Sequence, residues 1–386
     1  MLGWEYPPHI TGGLAAATAG VVRGLLMQDV SIELLVPVSA DVESRPGLTV
    51  HGVVSDPLPP PYARPGLHGF FGLHFFDAVA LYRTRTTAAA RTLDFDVIHA
   101  HEWLTASAAA EIATRSGRPW VWHVHATEYD RAGEHGHPRV LDMERTAVAS
   151  ADLIIAVSRY TRDLLLRRYG AESARVHVVH NSVDPIDGAA GAPGAPGAEE
   201  DEEPEDRRPV VLFLGRLTFQ KGPDYFVEAA IRVLAVRSDV LFVVAGEGDM
   251  RGRLMERVAQ VGLGRSILFT GFVRPHDARR LFASADLYVM PSVSEPFGIS
   301  ALEAIAHGTP VILSRGAGVS ELVRNVLEVD FWDVHQLAAR ILDVLTYPAL
   351  RRELRERGRA ELGHWTWEDA GKRIAELYEL ALLEHG

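Results

Sequence analysis

The chain has 386 residues, 47% hydrophobic and 23% charged, with a formal net charge of -12 and no cysteine. That composition is globular and the length suits two domains, each with its own core; the missing cysteines exclude disulfides, thiolate metal sites and cysteine nucleophiles. No apolar run has the length of a membrane span, and no charged segment leads into a long apolar one at the N-terminus, so the expected location is cytoplasmic.

The N-terminal stretch WEYPPHITGGLAAATAGVVRGL from Trp4 reads as a loop with Gly12 and Gly13 leading into an Ala-rich helix. The free amides of such a helix start can meet a phosphate, although a tight turn explains the glycines equally well. The first strand ahead of it is expected to be short. From Phe70, FFGLHFFDAVALYRTRTTAAAR mixes aromatics with Arg83, Arg85 and Arg91. It is read as a core-facing helix with a solvated basic edge in preference to a membrane-surface or acceptor site. Asp94-Phe95-Asp96 is read as a polar lead-in to a strand rather than a metal-binding Asp-x-Asp.

Short apolar runs then alternate with amphipathic stretches. They are DVIHAH from Asp96, PWVWHVHA from Pro119, ADLIIAVS from Ala151, ARVHVVHN from Ala174, VVLFLG from Val210, VLFVVAG from Val240, SILFTGF from Ser266, ADLYVMPS from Ala285 and TPVILS from Thr309. Continuous Val/Ile/Leu runs suit strands buried on both faces of a parallel sheet. Helical spacing between them, as in DYFVEAAIRVLAVR from Asp224, makes the fold class α/β: two doubly wound Rossmann-like domains facing a cleft. His99 and His101 alternate on one strand and His123 and His125 on another, so each pair shares a face. A hydrogen-bonding or substrate-contact role is preferred for them over a metal site.

Between the two halves, residues 187–208 read DGAAGAPGAPGAEEDEEPEDRR, with no large apolar residue. Such a segment cannot bury enough surface to offset its ordering entropy and is expected to be a disordered acidic linker. The seven acids from Glu199 to Asp206 carry much of the net charge. Without them 44 acids face 39 bases, which leaves the folded part only mildly acidic and gives no basic footprint for nucleic acid. The expected domains are 1–186, then the linker 187–208, then 209–364, with the amphipathic helix 365–386 to be placed on one of them. Deleting residues 189–206 is expected to leave the protein folded. Loss of soluble protein on that deletion would show that the segment is structural.

Two segments of the second half carry chemistry. After VVLFLG, Arg216 and Lys221 sit on the loop beyond a strand's C-terminal end, a cation pair suited to a diphosphate. Two solvated surface cations are the plainer alternative, and the glycines of a P-loop or dinucleotide fingerprint are missing. In SEPFGISALEAIAHGTPVI from Ser294, Glu295 and Glu303 are separated by seven residues. Pro296 suits a helix start and Gly298 allows close backbone approach. A helix beginning near Phe297 would direct its amides at a phosphate, with the carboxylates accepting from sugar hydroxyls.

Taken together, these segments resemble the family-4 (group 1) glycosyltransferases of the GT-B fold over nearly the whole chain except the linker. The segment HVHATEYDRAGE from His123 looks like the glycogen and starch synthase branch. Ile10 before Thr11-Gly12-Gly13 departs from the Lys that bacterial glycogen synthases typically carry. The resemblance implies a retaining hexosyltransferase using a nucleotide-diphosphate sugar of the ADP- or UDP-glucose type and a carbohydrate acceptor, such as an α-glucan, without a metal. It also implies the residue roles. Arg216 and Lys221 neutralise the diphosphate, Glu303 holds the ribose, and Glu295 with the amides around Gly298, Ile299 and Ser300 holds the sugar. Gly13 approaches the phosphate, His125 lies near the sugar, and Asn181 to Asp184 form the hinge. The helix 365–386 would pack back on the N-terminal domain. The alternatives are a GT-B sugar-nucleotide epimerase, which the Glu-x7-Glu and Lys221 arrangement disfavours, and a catalytically silent sugar-nucleotide-binding protein. A nicotinamide enzyme is remote, because no Gly-x-Gly-x-x-Gly follows the first strand.

Overall fold

The computed structural model describes residues 1–10, 12–38, 44–54, 75–183 and 207–385. Positions 187–206 of the acidic segment, the aromatic stretch 70–74, Thr11 and Asp184 lie outside the described residues. The chain divides into two units, Met1–Ser182 with Thr366–Gly386, and Val183–Trp365.

The first unit runs α1 (Gly13–Leu26), β1 (Ile32–Val36), β2 (Leu48–Gly52), α2 (Phe75–Ala90), β3 (Ile98–His101), α3 (Glu102–Ser116), β4 (Trp120–Val124), α4 (Glu128–Ala132), α5 (Pro138–Ser150), β5 (Leu153–Ala156), α6 (Arg159–Tyr169) and β6 (Val176–Val178). β1 pairs with β2, and β3-β4-β5-β6 form a second run, parallel throughout. Residues Met1–Gly3 join the two runs. The Leu2 amide donates to His99 O at 2.7 Å and the Gly3 amide to Leu35 O at 3.0 Å, while His101 donates back to Leu2 O at 3.0 Å. The strand expected ahead of α1 is thus reduced to isolated parallel bridges of Leu2 with Leu35 and Ala100. Every residue of β3, β4 and β5 is buried, which is why those runs lack polar alternation. On α2, Phe75, Val79 and Tyr82 face the core while Arg83 and Arg85 are exposed, with Arg83 3.6 Å from Glu111.

The second unit runs β7 (Val210–Leu214), α7 (Pro223–Val236), β8 (Leu241–Ala245), α8 (Arg251–Gln260), β9 (Ile267–Gly271), α9 (Pro275–Ser284), β10 (Leu287–Met290), α10 (Ile299–Ala306), β11 (Val311–Ser314), β12 (Leu327–Val329), α11 (Val334–Thr346) and α12 (Pro348–Leu362). Its six-stranded parallel sheet has the order β12-β11-β10-β7-β8-β9. The winding direction reverses between β7 and β10, and ligands of open α/β sheets bind beyond the strand ends at such a switch point. The last two residues of the acidic segment belong to this unit's structure. The Arg207 guanidinium lies 2.6 Å from the buried Asp286 carboxylate, and Arg208 donates to Asp239 O and Val240 O.

Helix α13 (Trp367–His385) returns to the first unit and lies along α1. The two backbones meet at glycines. A Cβ on Gly24 would sit 2.0 Å from Trp367 O, and one on Gly371 would sit 2.1 Å from Gly24 C. Trp367, Ile374 and Leu377 fill the adjoining core with Val21 and Leu25. Gly24→Val is expected to push α13 off α1 and destabilise the first unit by about 1–3 kcal/mol, the usual cost of overpacking. An unchanged thermal midpoint for that variant would refute the close contact.

Candidate active site

The loops after β7 and β10, at the sheet's switch point, carry the two motifs. Lys221 Nζ lies 2.7 Å from Glu295 Oε2, with the carboxylate only 6% exposed and the lysine 22%. Ser292 Oγ donates to the same oxygen at 2.9 Å. Gln220 O, the neighbour of Lys221, accepts the Val293 amide at 2.8 Å, so the loops are joined through backbone as well. Gly222, at φ +62°, makes this possible, since a Cβ there would meet Pro291 O at 2.2 Å. Arg216 stands at the end of β7, partly buried.

Helix α10 starts at Ile299, two residues later than the expected Phe297, because Gly298 adopts φ +108° as its N-cap. Phe297 is buried instead, and its carbonyl accepts the Val319 amide at 2.7 Å. With no capping side chain, the first amides of α10 keep their donors for a ligand. Ser300 is held in place, its Oγ 2.9 Å from the Tyr288 hydroxyl, which also donates to Leu214 O at 3.1 Å. Burial pushes the Tyr288 phenol well above its ordinary range, so it stays a donor. Glu303 lies one turn further along α10, partly buried. Lys221, Glu295, Gly298, Ile299 and Ser300 are thus gathered on two adjoining loops and one helix start.

Gly13 and His125 belong to the first unit. Gly13 opens α1, is exposed, and has nothing within 4 Å of where a Cβ would stand. His125 directly follows β4. His99 and His101 of β3, His123 of β4 and His125 just beyond it form one stacked cluster, with ring centroids 4.4 Å apart for His123–His125 and 4.5 Å for His99–His101. His101 Nδ1 is 2.9 Å from His125 Nε2, and His99 Nε2 is 3.1 Å from His123 Nδ1. His99 Nδ1 reaches the Tyr378 hydroxyl of α13 at 2.5 Å. Burial holds all four well below the usual histidine range, His125 at about 3, so at neutral pH they are neutral. His99, His101 and His123 each offer a nitrogen within 4.8 Å of the others. Both His99 nitrogens, however, are already in hydrogen bonds, and the group includes no carboxylate among the described residues.

One contributor escaped the sequence reading. Glu102, at φ +65° directly after β3, turns a buried carboxylate onto the loop beyond β4. Its Oε1 accepts the His125 amide at 2.8 Å and the Ala126 amide at 2.7 Å, and its Oε2 accepts from Arg131. Arg131 also donates to Ala126 O at 3.0 Å and faces Glu144, whose carboxylate accepts the Glu128 amide at 2.9 Å and the Tyr169 hydroxyl. One guanidinium serves several buried carboxylates, and burial pushes Glu144 up to about 8. The sequence signal was an acid following an alternating-histidine strand. Gly246 and Gly248 after β8 were missed as well. A Cβ on Gly246 would meet Gly215 O at 1.9 Å, so they let that loop press against the one carrying Arg216.

A doubly wound sheet with a Lys–Glu pair and an uncapped helix start at its switch point defines a class of α/β proteins with a site suited to an anionic ligand, and comparison with known sequences resolves it. The family model described as "Glycosyl transferases group 1" matches residues 198–361, and "Glycosyltransferase Family 4" matches 11–186. The chain is 30% identical to the D-inositol 3-phosphate glycosyltransferase of Acidothermus cellulolyticus, over 97% of this chain and 86% of that one. It is 28% identical to the glycogen synthase of Mycobacterium tuberculosis, over 98% and 93%. The chain belongs to the group 1 glycosyltransferases of the GT-B fold. In fold it is similar to the sucrose-phosphate synthase of Thermosynechococcus elongatus, with TM-score 0.77, 21% identity and coverage of 99% and 96%. It is similar too to the catalytic domain of Arabidopsis thaliana starch synthase IV bound to ADP and acarbose, with TM-score 0.75, 17% identity and coverage of 99% and 98%. No described helix is long and apolar enough to cross a membrane.

Proposed function

We propose that this glycosyltransferase moves a hexose, with retention, from a nucleotide-diphosphate sugar of the ADP- or UDP-glucose type to a carbohydrate acceptor, with an α-glucan as the first acceptor to test. The observation that carries the reading is the Lys221–Glu295 pair at 2.7 Å beside the Gly298 start of α10. A cation, a carboxylate and uncapped helix amides close together would match the groups of a sugar diphosphate. Lys221 and Arg216 would neutralise the departing diphosphate, and Glu303 the ribose hydroxyls would meet. Glu295 with the amides of Gly298, Ile299 and Ser300 would hold the hexose, with Gly13 assigned to phosphate and His125 to the sugar.

In this reading charge stabilisation and positioning do the work, so no enzyme nucleophile and no metal are required. The starch synthase similar to this chain binds ADP and acarbose, which makes an adenine nucleotide and a glucan reasonable first probes. The test is a screen of nucleotide sugars for hydrolysis and transfer, with glucan oligomers and small sugars as acceptors. Transfer with an α-configured product is expected. Binding without turnover would favour a silent binder, interconversion of sugar nucleotides an epimerase, and absence of any binding would remove the reading.

A further inference from the structure

The histidine cluster fixes more than the position of His125. A neutral imidazole carries one proton on one of two nitrogens, so the hydrogen bond at one nitrogen dictates what the other can do. In the His101–His125 bond either ring can be the donor. The nitrogens left over, His101 Nε2 and His125 Nδ1, are both buried and have no partner. Each arrangement therefore leaves one unpaired N–H and one bare nitrogen, and the two differ only in where the N–H falls.

Two observations place it. First, although both orphaned nitrogens are buried, His101 as a whole is 0% exposed, whereas His125, just past the end of β4, keeps part of its surface open. An orphaned N–H costs least where water or a ligand is nearest. Second, the other chain of bonds already delivers a donor beside His101. With the Tyr378 hydroxyl donating to His99 Nδ1, His99 Nε2–H donates to His123 Nδ1. His123 then carries its proton on Nε2, an atom that is buried and unpartnered. The His101 and His123 rings stack with centroids 5.2 Å apart. A bare His101 Nε2 suits that neighbour, while a second N–H would give the stacked pair two unpaired buried donors.

We propose that His101 is a positioning residue: its Nδ1–H donates to His125 Nε2 and locks His125 as the Nδ1–H tautomer, so that His125 meets a sugar oxygen as a hydrogen-bond donor and not as a base. The role in sugar contact rests on the reading of His125 above; the tautomer does not.

The decisive measurement is long-range proton–nitrogen NMR on the full chain labelled with 15N-histidine, with His125→Gln assigning the signal. Wild-type His125 is expected to be protonated at Nδ1 and bare at Nε2; protonation at Nε2 overturns the proposal whatever any variant does. In His101→Phe the tautomer is expected to revert to Nε2–H. Turnover of UDP-glucose or ADP-glucose should fall roughly tenfold in kcat, the rate equivalent of one lost hydrogen bond, with little change in KM. His101→Asn, whose amide can donate from the same place, should restore most of that loss, and a merely structural role would show no such rescue. If the Nδ1–H tautomer is present while His125→Ala leaves turnover unchanged, the sugar-contact reading fails and the tautomer assignment stands.

Discussion

Lys221→Ala is expected to lower kcat for the nucleotide sugar by roughly 10²–10³-fold, the cost of losing one preorganised group that meets developing charge, and to weaken ADP or UDP binding. The substitution has a second effect that must be separated from the first. Glu295 is 6% exposed and would keep Ser292 as its remaining side-chain partner. Leaving such a carboxylate without its cation costs about 3 kcal/mol, enough to lower the thermal midpoint. Lys221→Ala with Glu295→Gln removes that charge as well, so the double variant should regain much of the lost stability and none of the lost turnover. Turnover that recovers along with stability would place Lys221 in the scaffold and take the phosphate role away from it.

Acidification should unfold the first unit over a narrow range. His99, His101, His123 and His125 have folded-state values below the unfolded value of 6.5. Above pH 6.5 both states hold them neutral and they add no pH dependence. Below it the unfolded chain takes up protons that the folded cluster refuses, so stability falls with pH, for His125 down to about 3. Each imidazole contributes about 1.4 kcal/mol per pH unit, and four together ~5 kcal/mol per unit, against a typical total of about 5–15 kcal/mol. Glu144 acts on the other side. Its folded value of about 8 exceeds the unfolded one, so the folded state holds a proton the unfolded state has lost, and stability declines as pH rises toward 8. Trp103, Trp120 and Trp122 are fully buried in this unit and report its unfolding by fluorescence. A thermal midpoint that stays flat from pH 6.5 to 5 would contradict a neutral buried cluster, and Glu144→Gln should flatten only the alkaline side.

All nine apolar runs named from the sequence contain strands, because a parallel sheet covered on both faces leaves its signature in continuous Val, Ile and Leu. The strands that escaped lack it. β2 (LTVHG) is mostly half-buried or exposed, β12 (LEV) has three residues, and β1 (IELLV) is broken by Glu33. The pairing of Lys221 with Glu295 could be anticipated as two motifs on neighbouring strand ends, yet not as a salt bridge, since 74 residues separate the partners. Glu102 was hidden for a different reason: its role depends on a left-handed backbone that propensity argues against for a glutamate. Local pattern reports which strands are buried. It does not report which side chain bends back across the sheet.

The glycine contact between α1 and α13 sets an order of events during synthesis. The first unit is assembled from residues 1–182 and 366–386, with the whole second unit encoded in between. A ribosome therefore releases β7 through α12 before it delivers the helix that Gly24 is shaped to receive. Until then the part of this core that Trp367, Ile374 and Leu377 fill is open. The nascent first unit therefore waits with that part of its core uncovered, and a translational pause after the second unit would prolong the interval.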